Sequence, residues 1–375
     1  MRSVSERGAG FDRARRGVLK ALVTGGVVAA GASSLRWPAG ASAAVPSETP
    51  QARTEASSTV RARWRARSPL PVKRAEVAVA ALDGRMYVVG GTTQTKDESP
   101  MWATTAIHSY DPRQDQWAEH TPLPRPLTHV GVAVSGGQLY AFGGFVTAVH
   151  MHPQPDAYVY DPRRDRWERL PDMPTALGSV AVAAVGGRVH LLGGRDSRRV
   201  GTPEGSPISF GFGTVRTHYV FDPARRTYTQ AQSLPGEPRD HAGAAVLDGR
   251  VHLVGGRVED TANNLSRHDV YDVRRACWTR AAPLPVARSA GAAVVLDGRL
   301  VYAGGECRPG GGNETFGDVT VYDPQARRWD AVADLPGGRH GFGAAVLGGR
   351  AYFTAGAPNC GGGASADTVE LTLCR

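Results

Sequence analysis

Short apolar segments alternate with glycine-containing turns along residues 60–375. A run of small apolar residues, such as residues 77–81 or 290–295, leads into an Asp-Gly or Gly-Gly dipeptide, and a second apolar run follows, as in residues 85–91. Such dipeptides tolerate positive φ and favour tight β-hairpins. The pattern therefore predicts pairs of antiparallel strands, and each pair ends in two glycines.

The glycine pairs recur together with aromatic landmarks at fixed intervals. Five pairs and a degenerate sixth end the second strand of each unit: Gly90-Gly91, Gly143-Gly144, Gly193-Gly194, Gly255-Gly256, Gly304-Gly305 and Ala355-Gly356. An aromatic residue followed by Asp comes next in five units, and a second aromatic residue stands seven positions later: Tyr110 and Trp117, Tyr160 and Trp167, Phe221 and Tyr228, Tyr271 and Trp278, Tyr322 and Trp329. Because only the stretch between the glycines and the Tyr-Asp pair varies, each unit is predicted to be a four-stranded antiparallel meander with one variable loop.

These joint intervals resemble the kelch repeat over residues 60–375. The resemblance implies an all-β fold, a six-bladed kelch β-propeller of four-stranded antiparallel blades. The sixth unit lacks an aromatic residue equivalent to the repeated Trp, whereas Trp64 stands 26 residues before Gly90 with no strands of its own before it. We therefore predict that an N-terminal strand near residues 60–66 pairs into the last blade and closes the ring.

Composition and charge narrow the classes of function. The chain has 44 Lys and Arg against 35 Asp and Glu, a formal net charge of +9, but residues 1–44 hold a basic excess that leaves the remainder only weakly basic. A nucleic-acid-binding protein concentrates basic side chains on one face, so no nucleic-acid partner is expected. The 47 Gly and 26 Pro argue against a helix-rich fold.

The first 44 residues are predicted to be an export signal peptide of the twin-arginine type. Arg15-Arg16 precedes an apolar stretch over residues 21–35, which is shorter than the roughly 20 residues needed to span a membrane, and small residues follow at 41–44. The alternative is a membrane anchor that is never cleaved. Residues 45–59 are predicted to be a flexible linker. We expect residues 60–375 to be secreted, without stable membrane insertion after signal cleavage.

Four cysteines follow the signal: Cys277, Cys307, Cys360 and Cys374. Cys307 and Cys360 fall in loops of the same kind in adjacent units, so they are the candidate disulfide. The chain has no CxxC spacing, which argues against a zinc site of that type.

Candidate ligand-binding residues gather in segments that should share one face of a propeller. They lie in the connections between blades and directly after the glycine pairs: Arg74, Arg125, His129, Arg195, Arg239, His241, Arg257, Arg288, Glu306, Arg339 and His340. Arginine presents a planar fork that suits a carboxylate or phosphate, and in kelch domains that bind acidic partners an Arg at the positions of Arg125, Arg288 and Arg339 often serves this role. The prediction is an anionic-ligand site at the mouth of the central channel. The alternative is a set of arginines that cap strand ends.

Catalytic and metal signatures are weaker. Glu259 is a candidate proton-transfer residue beside Arg257, although neighbouring Glu and Arg are more often surface pairs. His150 and His152 alternate along the chain, but two ligands do not make a site, so the sequence predicts no metal and no cofactor. Galactose oxidase-type enzymes also use kelch blades, but no cysteine here stands beside a Tyr and His group of the kind they need.

Two classes of function therefore stay open. The first is a secreted, monomeric binding protein that takes a glycan, a sugar acid or an acidic peptide at the arginine-rich channel mouth. The second is a carbohydrate-active enzyme, such as a sugar mutarotase or epimerase resembling the bacterial sialic-acid epimerases that are built on a kelch propeller. The sequence does not decide between them.

Overall fold

The structure is a computed structural model that describes residues 60–93, 102–146, 150–199 and 212–374. The predicted signal peptide and linker lie outside the described residues. Short β-strands dominate these ranges, with one 3-10 helix at Thr261–Asn263. In chain order the strands are β1 (Arg61–Arg67), β2 (Ala78–Leu82), β3 (Arg85–Val89), β4 (Thr92–Thr93), β5 (Trp102–Ala103), β6 (Ile107–Asp111), β7 (Gln116–Glu119), β8 (Gly131–Ser135), β9 (Gln138–Phe142), β10 (Ala157–Asp161), β11 (Arg166–Arg169), β12 (Ala181–Val185), β13 (Arg188–Leu192), β14 (Arg195–Arg199), β15 (Phe212–Thr214), β16 (His218–Asp222), β17 (Thr227–Gln230), β18 (Gly243–Leu247), β19 (Arg250–Val254), β20 (His268–Asp272), β21 (Cys277–Arg280), β22 (Ala292–Leu296), β23 (Arg299–Gly305), β24 (Phe316–Asp323), β25 (Arg328–Val332), β26 (Gly343–Leu347), β27 (Arg350–Thr354) and β28 (Thr368–Cys374).

The strands form six four-stranded antiparallel sheets, which are the blades of a propeller. From the innermost strand outward, the blades are β2-β3-β6-β7, β8-β9-β10-β11, β12-β13-β16-β17, β18-β19-β20-β21, β22-β23-β24-β25 and β26-β27-β28-β1. Two small hairpins, β4-β5 and β14-β15, extend the loops between the second and third strands of blades 1 and 3. The predicted six-bladed, all-β architecture is confirmed.

The N-terminal strand closes the ring, as predicted. β1 pairs antiparallel with β28 along its full length, from Arg61 opposite Cys374 to Arg67 opposite Thr368. The Trp64 indole nitrogen donates to the Ala333 carbonyl of blade 5 at 3.0 Å. The outer edge of β28 is thereby paired.

The seven-residue aromatic interval reflects a cross-strand pair. Tyr160 lies opposite Trp167 across β10 and β11, with ring centroids 5.0 Å apart. The indole nitrogen of Trp167 then donates to the Thr121 carbonyl of the preceding blade at 3.2 Å. Equivalent indole bonds run from Trp117, Trp278 and Trp329 to the preceding blade. The repeated aromatic residue therefore joins each blade to the preceding one, with the Tyr228 hydroxyl taking the place of the indole in blade 3.

The glycine pairs mark the closest approach between neighbouring blades. A Cβ on Gly143, whose φ is +63°, would lie 2.1 Å from the Leu177 carbonyl oxygen at the start of the next blade. The Gly144 amide donates to that same carbonyl at 2.9 Å. An equivalent bond from Gly356 to the Arg74 carbonyl at 2.8 Å joins blade 6 to blade 1. Glycine is required here because a side chain would separate the two backbones.

Hydrophobic side chains pack between adjacent blades. One cluster combines Tyr87, Val89 and Ile107 of blade 1 with Leu139 and Tyr160 of blade 2, and similar clusters fill the other interfaces. In the ranges that the structure describes, no helix is long and apolar enough to cross a membrane.

Candidate functional site

Six residues, one from each blade, surround the central axis where the innermost strands begin. All have left-handed backbone with φ between 50° and 57°: Glu76, His129, Ser179, His241, Ala290 and Gly341. Backbone hydrogen bonds join neighbours around this axial ring, as from the His129 amide to the Glu76 carbonyl at 3.1 Å. The ring lines a cavity of about 120 Å³. This space corresponds to roughly four water molecules, whereas sites for drug-sized ligands span roughly 300–1,000 Å³.

The residues directly after the glycine pairs lie beside this ring. Arg195, Arg257 and Glu306 occupy this position in blades 3, 4 and 5, and all three side chains are buried. Arg195 forms an isolated β-bridge with Gly178, and Arg257 forms one with Asp240. Gly178 and Asp240 directly precede ring residues of the axial ring, so these bridges hold both arginines beside it. The repeat itself therefore directs these three charged groups towards the axis.

The charged groups pair with one another across blades. Arg195 Nε lies 2.7 Å from Asp240 Oδ2, and Asp240 also contacts Arg257 and the Nδ1 atom of His241. Arg257 forms a direct ion pair with Glu306. Each guanidinium in this part of the mouth therefore has a carboxylate partner, which leaves no excess positive charge.

A second set of contacts connects further charged and histidine side chains around the axis. His340 Nε2 lies 3.6 Å from Glu306 and 3.3 Å from Glu76, whose other oxygen is 3.0 Å from His129 Nε2. His150 Nε2 lies 3.0 Å from His241 Nε2. We call the connected set the mouth cluster: Glu76, His129, His150, Arg195, Asp240, His241, Arg257, Glu306 and His340.

Burial and charge act in opposite directions on these groups. Burial alone would raise the pKa of Glu306, but the Arg257 guanidinium and His340 lower this pKa to about 2. Burial lowers the pKa of His241 to about 4, with a further contribution from Arg257. Burial also lowers the pKa of His150 well below its usual value. At neutral pH these two histidines are therefore uncharged.

Four of the predicted ligand-binding arginines have a different environment. Arg74, Arg239, Arg288 and Arg339 are buried, and each donates to the carbonyl of the residue 16 positions later, which is the first residue of the glycine pair. Arg288 also donates to the Asp318 carbonyl at 2.8 Å and to Thr320 Oγ1 at 2.9 Å. The structure directs these guanidinium groups into the sheets and away from the channel. They tie the first strand of a blade to the second and third.

The remaining predicted residues are dispersed. Arg125 lies on the rim with a side chain 38% exposed, and it pairs with Asp156 at 2.8 Å. Glu259 is half-buried, and its backbone carbonyl accepts a hydrogen bond from Arg195. Cys307 and Cys360 form a disulfide with Cα atoms 4.6 Å apart, which links the loops of blades 5 and 6.

The structure thus brings six predicted residues together and adds three. His129, Arg195, His241, Arg257, Glu306 and His340 meet in the mouth cluster. Sequence reasoning missed Glu76 and Asp240, and it treated His150 only as a neighbour of His152. The repeat carried a usable signal for the first two, because Glu76 aligns with His129 and His241, and Asp240 directly precedes His241.

Comparison with known proteins finds kelch motifs and kelch-like proteins. The family model described as Kelch motif matches residues 126–174, 238–285 and 287–336. The chain is 29% identical over 295 residues to Kelch-like protein terF of Aspergillus terreus, and the match covers 76% of this chain and 61% of that protein. It is 28% identical over 294 residues to the human Kelch-like protein 34, with 76% of this chain and 35% of that protein covered.

A solved structure described as "Structure of YjhT" aligns with a TM-score of 0.65 at 18% identity. The alignment covers 82% of this chain and 99% of that one. At this identity the likeness concerns the fold alone. The chain spans about three-fifths of the fungal relative and about a third of the human one.

Proposed function

Starting from a six-bladed propeller that carries kelch repeats, we propose that the chain is an extracytoplasmic binding protein whose channel-mouth face docks a partner protein. The mouth face is the side that carries the blade-to-blade connections and the loops after the glycine pairs. Kelch propellers generally mediate binding or protein interaction, and the following observations favour this face and this kind of partner.

The observation that carries the proposal is the placement of exposed apolar side chains. In the described part of the chain, the large apolar residues that stand exposed are Val72, Trp102, Met151 and Val286, at 43–48% exposure. Val72 and Val286 lie in connections between blades, and Trp102 and Met151 lie in loops after glycine pairs. All four therefore belong to the mouth face. Trp and Met are enriched at protein interfaces, where Trp often dominates the binding energy.

The opposite face differs in character. It carries the hairpin turns with Asp and Gly and the turns after Tyr-Asp, where exposed arginines such as Arg164, Arg225 and Arg275 predominate. Exposed apolar groups on one face and charged turns on the other indicate which face a partner contacts.

The size of the mouth cavity favours a protein over a sugar. A volume of about 120 Å³ accepts a short side chain or a few waters. A partner protein would contact the apolar rim and Arg125, and an acidic side chain from it could approach that guanidinium. The partner is therefore still expected to carry acidic side chains, but most of its contacts are with the apolar residues of the rim.

The disulfide supports an extracytoplasmic location. Cys307 and Cys360 are bonded, and such bonds persist in oxidising compartments. The predicted twin-arginine signal points in the same direction.

Site-specific photo-crosslinking tests the proposal. A benzophenone amino acid replaces Trp102 on the mouth face or Arg275 on the opposite face, and residues 60–375 are irradiated with the envelope and secreted fractions of the producing organism. We expect one discrete protein adduct from position 102 and none from position 275, and Met151→Asp should remove the adduct. Equal adducts from both faces would contradict the proposal. If no protein adduct forms and the chain binds a sugar acid even with Met151→Asp and Trp102→Ser, a sugar-acid site replaces the partner-protein proposal.

A further inference from the structure

Two histidines of blade 2 and one of blade 4 meet at the edge of the axial ring. His129 and His241 are ring residues of blades 2 and 4, and His150 enters from the loop between β9 and β10. All three are buried, and one nitrogen from each lies within 4.8 Å of the others. Their ring centroids are 4.5–5.1 Å apart. Burial of a polar ring costs free energy unless its nitrogens have partners.

The nitrogens that face one another are set by hydrogen bonds at the far side of two rings. His241 Nδ1 contacts the Asp240 carboxylate, and His129 Nδ1 lies 2.9 Å from Thr128 Oγ1. The Asp240 contact leaves Nε2 of His241 facing His150, whose Nε2 is 3.0 Å away, and Nε2 of His129 lies 3.0 Å from the Glu76 carboxylate. A carboxylate or hydroxyl that holds one ring nitrogen while the other faces a common point is the arrangement that orients metal-binding histidines.

The two guanidinium groups beside the three rings are each paired with a carboxylate. The nearby Arg257 donates to His241 Nε2 at 3.2 Å but is paired with Glu306, and Arg195 is paired with Asp240. Glu76 adds a further carboxylate beside His129 Nε2.

We propose that His129, His150 and His241 bind a first-row divalent transition-metal ion, each through one ring nitrogen. Neutral imidazole suits Zn²⁺, Cu²⁺, Ni²⁺ and Co²⁺. The three nitrogens lie within 4.8 Å of one another, so the rings move closer on binding to give Zn–N bonds of roughly 2.0–2.1 Å. When the ion binds, Arg257 gives up its hydrogen bond to His241 and keeps its ion pair with Glu306. His129 and His241 line the mouth cavity, so a remaining coordination position would face that cavity and be open to water or to a carboxylate.

Cobalt binding to the untagged chain tests the site. Residues 60–375, purified without a polyhistidine tag and treated with chelator, are titrated with Co²⁺ and followed by visible absorption and by equilibrium dialysis. We expect one equivalent to bind, with absorption bands of a low-coordinate nitrogen site that Zn²⁺ abolishes by displacement.

The matched control is His152, which lies two positions after the proposed metal ligand His150 in the sequence. His150→Ala should abolish the bands and weaken binding by more than the roughly 10–100-fold that loss of a residue hydrogen-bonded to a metal ligand costs. His152→Ala, an exposed histidine that also has positive φ, should leave both unchanged. Thr128→Val should weaken binding roughly tenfold without removing the bands.

Circular dichroism and thermal melting of each variant show whether it remains folded. Equal cobalt binding by folded His150→Ala and the parent chain would overturn the assignment, as would the absence of stoichiometric binding to the folded parent chain.

Discussion

At the scale of single residues, arginine takes two distinct roles that depend on its place in the repeat. An arginine 16 positions before the end of the second strand, such as Arg288, is a buried connector within its blade. An arginine directly after the glycine pair, such as Arg257, joins the mouth cluster. The same side chain therefore supports either stability or the site, and its position relative to the glycines distinguishes the two.

Arg288→Ala should reduce stability and leave mouth-face chemistry intact. The change leaves the Asp318 carbonyl and Thr320 Oγ1 without a buried donor, so we expect the free energy of unfolding to fall by roughly 2–4 kcal/mol. Urea denaturation measures the change. Arg275→Ala, at an exposed turn, should alter stability by less than about 0.5 kcal/mol. If Arg288→Ala leaves the urea midpoint unchanged, the structural role is contradicted and Arg288 is again a candidate ligand-binding residue.

Buried histidine pairs predict loss of stability in mild acid. His190 and His218, and likewise His252 and His268, lie with ring nitrogens 2.8 Å apart, and burial lowers the pKa values to about 4, with about 3 for His268. The unfolded chain takes up protons near pH 6.5, whereas the folded chain does not. Stability should therefore be constant above about pH 6.5 and fall as the pH drops towards 4, by up to about 1.4 kcal/mol per pH unit for each histidine.

Blade 5 supplies the control for this pH effect. Its residues at the positions of His252 and His268 are Val301 and Val319. The double variant His252→Val with His268→Val should show a shallower loss of unfolding free energy between pH 6.5 and 4. An identical pH profile in urea melts of parent and variant would show that this pair does not titrate on unfolding.

At the scale of elements, the blade is a unit whose conserved spacing has a physical cause at each point. The seven-residue interval is a cross-strand aromatic contact, and the glycine pair is a place where two backbones touch. These local and nearest-neighbour constraints could be predicted from the sequence, so the kelch repeats, the blade count and the closing strand are confirmed.

The mouth cluster was less accessible to sequence reasoning. Spacing shows where Glu76, Asp240 and His150 stand within their own blades, but it does not show which side chains meet across the axis. Contacts between His150 and His241 join residues 91 positions apart in non-adjacent blades. Such meetings depend on loop conformation and rotamers, which the repeat leaves free.

Alanine substitution at two glycines of blade 2 distinguishes the cost of backbone strain from the cost of a steric clash. Gly143→Ala and Gly136→Ala both place alanine at positive φ, but only the former puts a Cβ against another group, the Leu177 carbonyl oxygen at 2.1 Å. We expect Gly136→Ala to cost about 1–2 kcal/mol, from backbone conformation alone. Gly143→Ala should cost substantially more, because blades 2 and 3 must move apart. Equal urea midpoints for the two variants would contradict the close-approach explanation.

At the scale of the whole molecule, closure makes the six blades depend on one another. Every blade is bonded to both neighbours, and β1, which leads into blade 1, completes blade 6 by pairing with β28. Loss of that contact would expose the outer edge of β28 and the apolar face that Trp64 covers.

Deletion of residues 60–67 should therefore lower the melting temperature sharply. Scanning calorimetry of the shortened chain measures the effect, and we expect a broader transition because the blades no longer form a closed circle. A chain that begins at residue 60, without the predicted linker, is the control and should melt like one that begins at residue 45. Equal melting temperatures for the deletion and the control would contradict the role of β1.

The pairing of β1 with β28 also means that the first strand is synthesised long before its partner strand. The partner of Trp64 is Leu371, which leaves the ribosome about 300 residues later. At roughly 5–20 residues per second, the first strand waits on the order of 15–60 seconds for its neighbour. During that interval an arginine at every second position, from Arg61 to Arg67, keeps the waiting segment hydrated and discourages it from joining other nascent chains.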